Sequence, residues 1–468
     1  MTSSSDDLAE VGSGGEIDSA SGSKASGPRL VWIAPLVPLF MVALFAARPI
    51  KDNSFLWHIR AGSAQSTVGE VLNNDVFSFT KFGAEWRTQS WLVELLYSWL
   101  EASFGGLSWV NWMVFIVASS TVGFIGLAVY RSTRSPISTG FVLIVAAWLM
   151  GPFTQPRPVL FSYALAALLV VVVQNRDRLA WAVVPVIWLW AGVHGSWVLG
   201  GLLVLLEWLR TKDKRLFWAG LVSAAATLAT AHGIGTWKIV ITFFESREAL
   251  DLIEEWAAPE FLDVVQAPYL LLIAGVIIAA IRGKIELRDL IVILPFMFFG
   301  MSSRRAVFPA AIVLIPWAAR AIPPIPVSKA RTSSIVVGVA AALVVVVAML
   351  PMVTRPLGEL DDERFPSAAM AGALGEDRAF HGDAEGGYLI YAEWPDRLIY
   401  IDDRAELYGK ELFEEYRDVR SGEYREAFSR WEINAVMAQN AWPLTEALTE
   451  DGWIVRASDD HFTVFGRP

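Results

Sequence analysis

The sequence contains no cysteine and few charged residues. Only 18% of its 468 residues are charged, against roughly a quarter in an average soluble domain. The absence of cysteine excludes disulfides, thiolate metal ligands and a cysteine nucleophile. The sequence also lacks the Walker A, HExxH and GxSxG motifs. It therefore carries no signature of a P-loop nucleotide hydrolase, a HExxH metalloprotease or an α/β-hydrolase.

Apolar residues dominate what is present. They make up 54% of the chain, and the mean hydropathy is +0.44. They fall in repeated runs of about 15–25 residues, close to the length that spans a bilayer. The 21 Trp and 26 Phe suit aromatic belts at the membrane interfaces. We therefore expect a polytopic α-helical membrane protein with about 11 transmembrane helices.

The expected spans are separated by short polar loops that alternate in charge. The stretch 179–209 is read as two short helices that meet at His194, within Ala191-Gly-Val-His-Gly195. The other spans are 30–47, 107–130, 137–153, 159–173, 216–231, 268–281, 290–301, 307–319 and 333–352. One alternate set of loops is strongly basic and is assigned to the cytoplasm. This predicts the plasma (inner) membrane, with a cytoplasmic N-terminus and an extracytoplasmic C-terminus.

Both ends of the chain differ in composition from the predicted transmembrane domain, residues 29–353. Residues 1–28 contain no aromatic residue and are expected to form a disordered cytoplasmic tail. Residues 354–468 are expected to form a small extracytoplasmic α/β domain, with strands at 388–390, 397–401, 435–437, 453–455 and 462–465. From Arg355 onwards there are 25 acidic and 12 basic residues. This acidic balance argues against nucleic acid as a partner.

The polar stretch between the first two spans, residues 49–106, is called the first loop. It combines Trp57 and Trp86 with charged side chains, of which His58 and Arg60 are candidate substrate-binding groups. Asp52 and Asp75 are its candidate catalytic residues, because a carboxylate at a membrane surface can deprotonate an acceptor hydroxyl. The alternative is structural: Asp52 or Asn53 caps a helix that starts near Phe55, and Asp75 closes a turn.

Cations on the predicted outer side form the second candidate group. Arginines there oppose the positive-inside tendency, and a lipid phosphate would explain them, since guanidinium binds phosphate in a bidentate manner. The candidates are Arg157, Arg304, Arg305, His194 and His232. Alternatively, Arg304 and Arg305 extend to lipid headgroups and His194 hydrogen-bonds a backbone carbonyl.

The predicted outer domain adds a dense polar cluster, made of Asp402, Asp403, Arg404, Glu406 and Tyr408. Asp402, Arg404 and Tyr408 are candidate residues of an acceptor site. The alternative is a solvated strand end that packs on the membrane part. The glycine pairs Gly105-Gly106 and Gly386-Gly387 are read as turns.

Several motifs together resemble a bacterial multi-pass family with the layout of the GT-C glycosyltransferases. They are Asp52-x4-Trp-His-Ile-x2-Gly62, Asn74-Asp-x-Phe-Ser78, Gln89-Ser-Trp-Leu-x-Glu94, Gln155-Pro-Arg-Pro158, Trp190-Ala-Gly-Val-His-Gly195, Ser303-Arg-Arg305, Gly387-Tyr-Leu-Ile390 and Ile401-Asp-Asp-Arg-Ala-Glu-Leu-Tyr408. The resemblance implies an inverting enzyme that transfers a sugar from a polyprenyl-phosphate donor to a glycan or lipid acceptor. It places Asp52 at the expected position of the catalytic acid, with Asp75 second. The paired Asp-Glu of better-known members is absent at Lys51-Asp-Asn53, so the exact base and any Mg²⁺ or Mn²⁺ stay open.

Two other functions compete with glycosyl transfer. A lipid or glycan transporter would carry charged residues at mid-span and symmetry between its halves, and the sequence has neither. A non-catalytic scaffold protein for envelope assembly would tolerate Asp52→Asn. If the protein is a glycosyltransferase, we expect the substitution to lower activity by orders of magnitude and to leave folding intact.

Overall fold

The computed structural model describes residues 30–245, 256–264, 266–323 and 334–468. The described part is mostly helical and ends in a small sheet. The predicted tail, residues 1–28, lies outside the described residues. So do residues 246–255, 265 and 324–333, which lie between expected spans or, at 333, begin the last one.

The helices of the N-terminal and central parts are numbered along the chain. They are α1 Pro38–Ala46, α2 Ser54–Val68, α3 Trp91–Phe104, α4 Ser108–Thr133, α5 Pro136–Met150, α6 Val159–Gln174, α7 Arg176–Leu179, α8 Val183–Val193, α9 Trp197–Thr211, α10 Lys214–Ala226, α11 Gly235–Glu245, α12 Pro268–Ile281, α13 Leu290–Ser302, α14 Val307–Ala318 and α15 Ser334–Thr354. Short 3-10 segments lie at Leu30–Leu36, Gly151–Phe153, Ala180–Ala182, Thr227–Ala229, Leu287–Asp289, Arg304–Ala306 and Ala319–Ala321.

Fewer helices than expected could cross a membrane alone. Within the described ranges, three are long and apolar enough: Ser108–Thr133, Pro136–Phe153 and Ile335–Thr354. Val159–Gln174 and Arg176–Val193 would together make a fourth, although they are bent by 101°. Val31–Ala46 and Pro268–Ile281 are apolar but shorter. At 1.5 Å per residue, the 13 residues of α13 extend about 20 Å, short of a hydrocarbon core of about 30 Å.

The predicted break at His194 is present. Helix α8 ends at Val193, His194 is extended (φ −169°, ψ 146°), and α9 begins at Trp197. The extended backbone stops the ladder of helical hydrogen bonds, so a polar side chain lies at the junction of two apolar helices.

The C-terminal part contains one mixed sheet, covered by helices. Its strands are β1 Ala379–Phe380, β2 Ala435–Gln439, β3 Ile454–Ser458 and β4 Phe462–Gly466, in the order β1-β2-β4-β3. Only β1 and β2 are parallel. Its helices are α16 Ala368–Gly372, α17 Asp383–Glu393, α18 Ala405–Arg420, kinked at Gly409, α19 Arg425–Arg430 and α20 Pro443–Glu450. The expected strands near 435, 454 and 462 are therefore confirmed.

Two strand predictions were wrong, and so was one turn. Tyr388–Ile390 belongs to α17, and Arg397–Ile401 contributes only an isolated bridge from Ile399 to Ser78. Gly386 and Gly387 lie inside α17 and not in a turn. A Cβ on Gly387 would lie 2.7 Å from the carbonyl oxygen of Asn53, and one on Gly386 would lie 2.0 Å from that of Ile401. The two glycines thus let this helix approach two backbone segments closely.

The C-terminal part packs directly on the first loop. The amide of Phe79 donates to the carbonyl of Ile399 (3.0 Å), and the amide of Ile399 donates to that of Phe77 (2.9 Å). The Thr80 hydroxyl donates to the carbonyl of Tyr400 (2.6 Å). One buried apolar core runs from the helices through the first loop into this part. These contacts therefore hold the polar side chains of the first loop and of the C-terminal part in place relative to each other.

Candidate active site between the first loop and the C-terminal part

Helix α2 forms one wall of the site, and Asp52 fixes where it begins. One carboxylate oxygen, Oδ1, accepts hydrogen bonds from the amides of Ser54 (3.1 Å) and Phe55 (3.3 Å) and from the Ser54 hydroxyl (2.9 Å). These bonds satisfy donors that have no partner inside the helix. The structural reading of Asp52 is thus confirmed. The helix also carries Trp57 and His58 to the edge of a cavity.

The other oxygen of Asp52 is paired with Arg157. The Nε of Arg157 donates to Asp52 Oδ2. Arg157 lies between two prolines, and the carbonyl of Pro156 accepts a bond from the hydroxyl of Tyr97 (2.8 Å). Asp52 is almost fully buried, whereas a quarter of the Arg157 side chain is exposed. The buried carboxylate of Asp52 therefore anchors the partly exposed guanidinium of Arg157.

Asp403 approaches this pair from the C-terminal part. Its Oδ1 accepts a hydrogen bond of 2.7 Å from the indole Nε1 of Trp57. Burial is the largest influence on this carboxyl, and with the adjacent Asp402 it raises the pKa of Asp403 to about 8. Arg157 lowers that pKa, and Asp52 raises it. Asp403 is therefore a carboxyl group that can exchange a proton near neutral pH.

Arg404 is the centre of a buried ionic network behind the cavity wall. It donates to both oxygens of Asp402 (2.6–2.9 Å) and pairs with Asp75 at 2.8 Å. The Tyr408 hydroxyl donates to Asp402 at 3.0 Å, and the guanidinium lies 4.5 Å from the centre of the Trp86 ring. Burying such charges is tolerated only with partners of this kind. The network joins the first loop to the C-terminal part.

Asp75 is occupied on its own loop as well. It accepts hydrogen bonds from the amides of Phe77 and Ser78 and from the Ser78 hydroxyl. Asp75, Asp402 and Tyr408 do not line the cavity, whereas Arg404 reaches it. The geometry gives these three side chains a structural role behind the site.

His58 belongs to a second buried network. Its Nδ1 lies 2.8 Å from Glu94 Oε1. Glu94 also accepts hydrogen bonds from Gln65 (2.5 Å) and from the Thr88 hydroxyl. These contacts set the ring plane of His58, and the ring lies close to that of Trp57, with centroids 3.6 Å apart and planes tilted by 32°.

His194 reaches the cavity from the break between α8 and α9. Its Nδ1 accepts a hydrogen bond from the amide of Ser196 (3.1 Å). The amide of Gly195 donates to the side-chain oxygen of Gln89 (3.3 Å), which ties the break to the first loop. Since Nδ1 is the acceptor, the neutral ring carries its proton on Nε2.

Arg305 completes the ring of side chains around the cavity, and its guanidinium lies 5.2 Å from the centre of the Trp256 ring. The cavity has a volume of about 280 Å³. Its wall includes the polar and aromatic residues Asn53, Ser54, Trp57, His58, Trp86, Gln89, Ser90, Arg157, His194, Trp256, Arg305, Arg364, Asp383, Asp403, Arg404 and Glu406. Carboxylates and guanidinium groups thus face one space lined by three indoles.

Besides Asp402 and Tyr408, three more predicted binding residues lie away from this cavity. Arg60 donates to the carbonyl of Tyr391 (2.7 Å) and lies near Glu101. His232 Nε2 contacts the carbonyl of Thr88 at 2.8 Å. Arg304 pairs with the exposed Glu260 at 2.5 Å.

The sequence alone assigns no catalytic or binding role to Asp403, Arg364 or Asp383. Asp403 was named only as one member of a polar cluster, and nothing in the sequence separates it from Asp402. Arg364 and Asp383 lie outside the quoted motifs. Within the described ranges, no three His, Asp or Glu side chains lie close enough together to hold a metal ion.

No protein-family model matches the chain. A search of the curated proteins also finds no match. The function is therefore inferred from the residues of the site.

Proposed function

We propose that the protein is a membrane glycosyltransferase. It takes a sugar from a polyprenyl-phosphate donor and transfers it, with inversion, to a glycan or lipid acceptor on the outer face of the plasma (inner) membrane. The observation that carries the proposal is the cavity. There, guanidinium groups suited to a phosphate and carboxyl groups suited to a proton or a sugar hydroxyl face one space, beside indole rings.

Separate segments of the chain supply the groups for this chemistry. Arg157 and Arg305 are the candidates to bind the departing phosphate, since an arginine presents several donors in a planar fork. Trp57 and Trp86, which are largely buried, line the cavity and add apolar edges to its wall. His194 can donate a hydrogen bond from Nε2 to developing negative charge.

The topology belongs to the same proposal. The chain crosses the membrane about 11 times, with residues 354–468 on the outer face and the N-terminus in the cytoplasm. Support comes from the basic short loops and from three outer-side residues, Arg157, His194 and Arg305. They follow different helices and lie far apart in the sequence, yet they line one cavity.

The test is sugar transfer by the purified full-length protein in liposomes. The probes are polyprenyl phosphates that carry radiolabelled glucose, mannose or arabinose, and sugar release and transfer are both measured. We expect turnover of at least one donor and a loss of tenfold or more in Arg157→Gln. Arg304→Gln is the matched control, because that side chain pairs with Glu260 outside the cavity. Assays with EDTA or with added Mg²⁺ or Mn²⁺ determine the metal dependence.

Absence of turnover with every donor would contradict the proposal and favour a scaffold role in envelope assembly. One observation fits that alternative: both oxygens of Asp52 already accept hydrogen bonds within the protein. Equal turnover of the wild type and Arg157→Gln would show that catalysis does not depend on this cavity.

A further inference from the structure

We propose that Asp403, and not Asp52, is the carboxylate that removes the proton from the acceptor hydroxyl. The assignment rests on the proposed glycosyl transfer and names the base of the same site. The reason is that Asp403 lines the cavity, whereas Asp52 does not.

Both oxygens of Asp52 accept hydrogen bonds within the protein. Oδ1 receives the hydrogen bonds that start α2, and Oδ2 receives the Nε of Arg157. The side chain is 2% exposed and does not line the cavity. Protonation of Asp52 would remove the charge that pairs with Arg157. Asp52 is therefore a positioning residue, which acts by fixing the guanidinium of Arg157.

Asp403 has the complementary geometry. It lines the cavity, the residue as a whole is partly exposed, and of its two carboxyl oxygens Oδ1 accepts the hydrogen bond from Trp57. The preceding Asp402 is fully buried and is bound by Arg404 and Tyr408. Of these two adjacent acids, one thus stabilises the wall and the other faces the cavity.

The charges around Asp403 suit a proton acceptor. Burial, then Asp402 and Asp52, raise its pKa, while Arg157 and the indole N–H of Trp57 lower it, with a value of about 8 as the result. His58 lines the cavity from the first loop, His194 from the helix break and Arg305 from the 3-10 segment before α14. Around them the C-terminal part contributes Arg364, Asp383, Arg404 and Glu406.

The step is a single displacement. The acceptor hydroxyl gives its proton to the ionised Asp403, and its oxygen forms a bond to the anomeric carbon. The bond from that carbon to the phosphate oxygen breaks, and its electron pair leaves with the polyprenyl phosphate. The negative charge on the phosphate is then balanced by the guanidinium groups of Arg157 and Arg305.

The experiment compares Asp403→Asn with Asp52→Asn in the full-length protein, using the polyprenyl-phosphate sugar that the wild type turns over. We expect Asp403→Asn to lower kcat by about 10²–10⁴-fold, with little change in KM for the donor. Asp52→Asn should chiefly raise the donor KM, because Arg157 loses its partner. Below about pH 8, the wild-type kcat should rise about tenfold per pH unit, and Asp403→Asn should lose this rise.

A second variant covers a failure of Asp403→Asn to fold. In Asp403→Ala, added formate should restore part of kcat, since a small carboxylate can enter the space that the side chain leaves. Full kcat in folded Asp403→Asn, or no rescue by formate in folded Asp403→Ala, would overturn the assignment alone. A wild type that is inactive with every donor would overturn the glycosyl transfer and this assignment together.

Discussion

The indole of Trp57 donates a 2.7 Å hydrogen bond to the carboxyl group of Asp403, which joins residues 346 positions apart. Trp57 lies on the first helix of the first loop, and Asp403 lies two residues before the helix that carries Glu406 and Tyr408. A second indole repeats the arrangement, because Trp86 Nε1 donates to Glu406 at 3.1 Å. The first loop and the C-terminal part therefore share the cavity through two indole–carboxyl pairs.

In the proposed glycosyl transfer, the Trp57 bond should set the pH at which activity appears. Its N–H donates to the ionised carboxyl and lowers the pKa of Asp403, so Trp57→Phe should raise that pKa. A smaller fraction of Asp403 is then ionised at any pH below its pKa. The ascending limb of the kcat–pH profile should move to higher pH, by up to about one unit.

Trp86→Phe is the matched control for this profile, since it removes an indole bond to Glu406 instead. Its ascending limb should stay where the wild-type limb lies. A shift of the limb to lower pH in Trp57→Phe would contradict the proposed role of the bond.

Asp75→Asn should separate stability from chemistry. The substitution keeps the side-chain volume but removes one of the two carboxylates that balance the buried Arg404. We expect the free energy of unfolding to fall by about 3 kcal/mol, with kcat of the folded fraction retained. Thermal unfolding and single-turnover rates measure the two effects.

Glu426→Gln serves as the control for Asp75→Asn, because Glu426 is exposed and pairs with Arg430 at the surface. Such a pair contributes little, and the thermal unfolding should not change. If Asp75→Asn is fully stable but inactive, Asp75 takes part in the reaction.

Gly387→Ala should weaken the contact between α17 and the first loop. The added Cβ would lie 2.7 Å from the carbonyl oxygen of Asn53, so the backbone of one partner must shift. We expect a loss of stability of about 1–3 kcal/mol and lower turnover, since the same contact borders the cavity. Gly372→Ala is the matched control, because its Cβ would meet nothing within 4 Å.

Both variants are measured by thermal unfolding and by sugar transfer. Equal values for Gly387→Ala and Gly372→Ala would show that the close approach is unimportant for the site.

The sequence predicted much of this framework through local signals. The helix break at His194 follows from Gly-flanked polar residues inside an apolar run, and the start of α2 follows from Asp52 before Phe55. Residues 388–390 were wrongly predicted as a strand because their short apolar run has the same composition in a buried helix. In the structure these residues lie in a helix whose Gly386 and Gly387 pack closely against the backbone of Ile401 and Asn53. Such tertiary contacts cannot be predicted from the local sequence.

The candidate base could not be identified from the sequence either. Asp402 and Asp403 are neighbours of one residue type, so composition and spacing treat them alike. Their difference comes from distant partners: Arg404 and Tyr408 bind the first, and Trp57 binds the second. The ion pair between Asp52 and Arg157 likewise could not be predicted, because the two residues lie far apart in the sequence.

Glu385 predicts how the stability of the C-terminal part depends on pH. Burial is the main cause that raises the pKa of Glu385 to about 7, although Gln439 donates to it at 2.9 Å. The folded protein then binds more protons than the unfolded chain between about pH 4.5 and 7. The stability should therefore fall as the pH rises through this window.

Glu385→Gln cannot lose a proton, so its stability relative to the wild type should increase from pH 5 to pH 8. The expected gain is of the order of 2 kcal/mol, measured as the difference between the two thermal unfolding curves at each pH. A constant difference across this range would contradict the raised pKa.

The most direct test is a cryo-EM map of the full-length protein in lipid nanodiscs with added polyprenyl phosphate. We expect density for the phosphate inside the cavity, within about 3 Å of the guanidinium of Arg157 and on the same side as Asp403. A well-resolved map in which the cavity holds no phosphate, or in which the lipid phosphate binds only outside it, would contradict the proposed site.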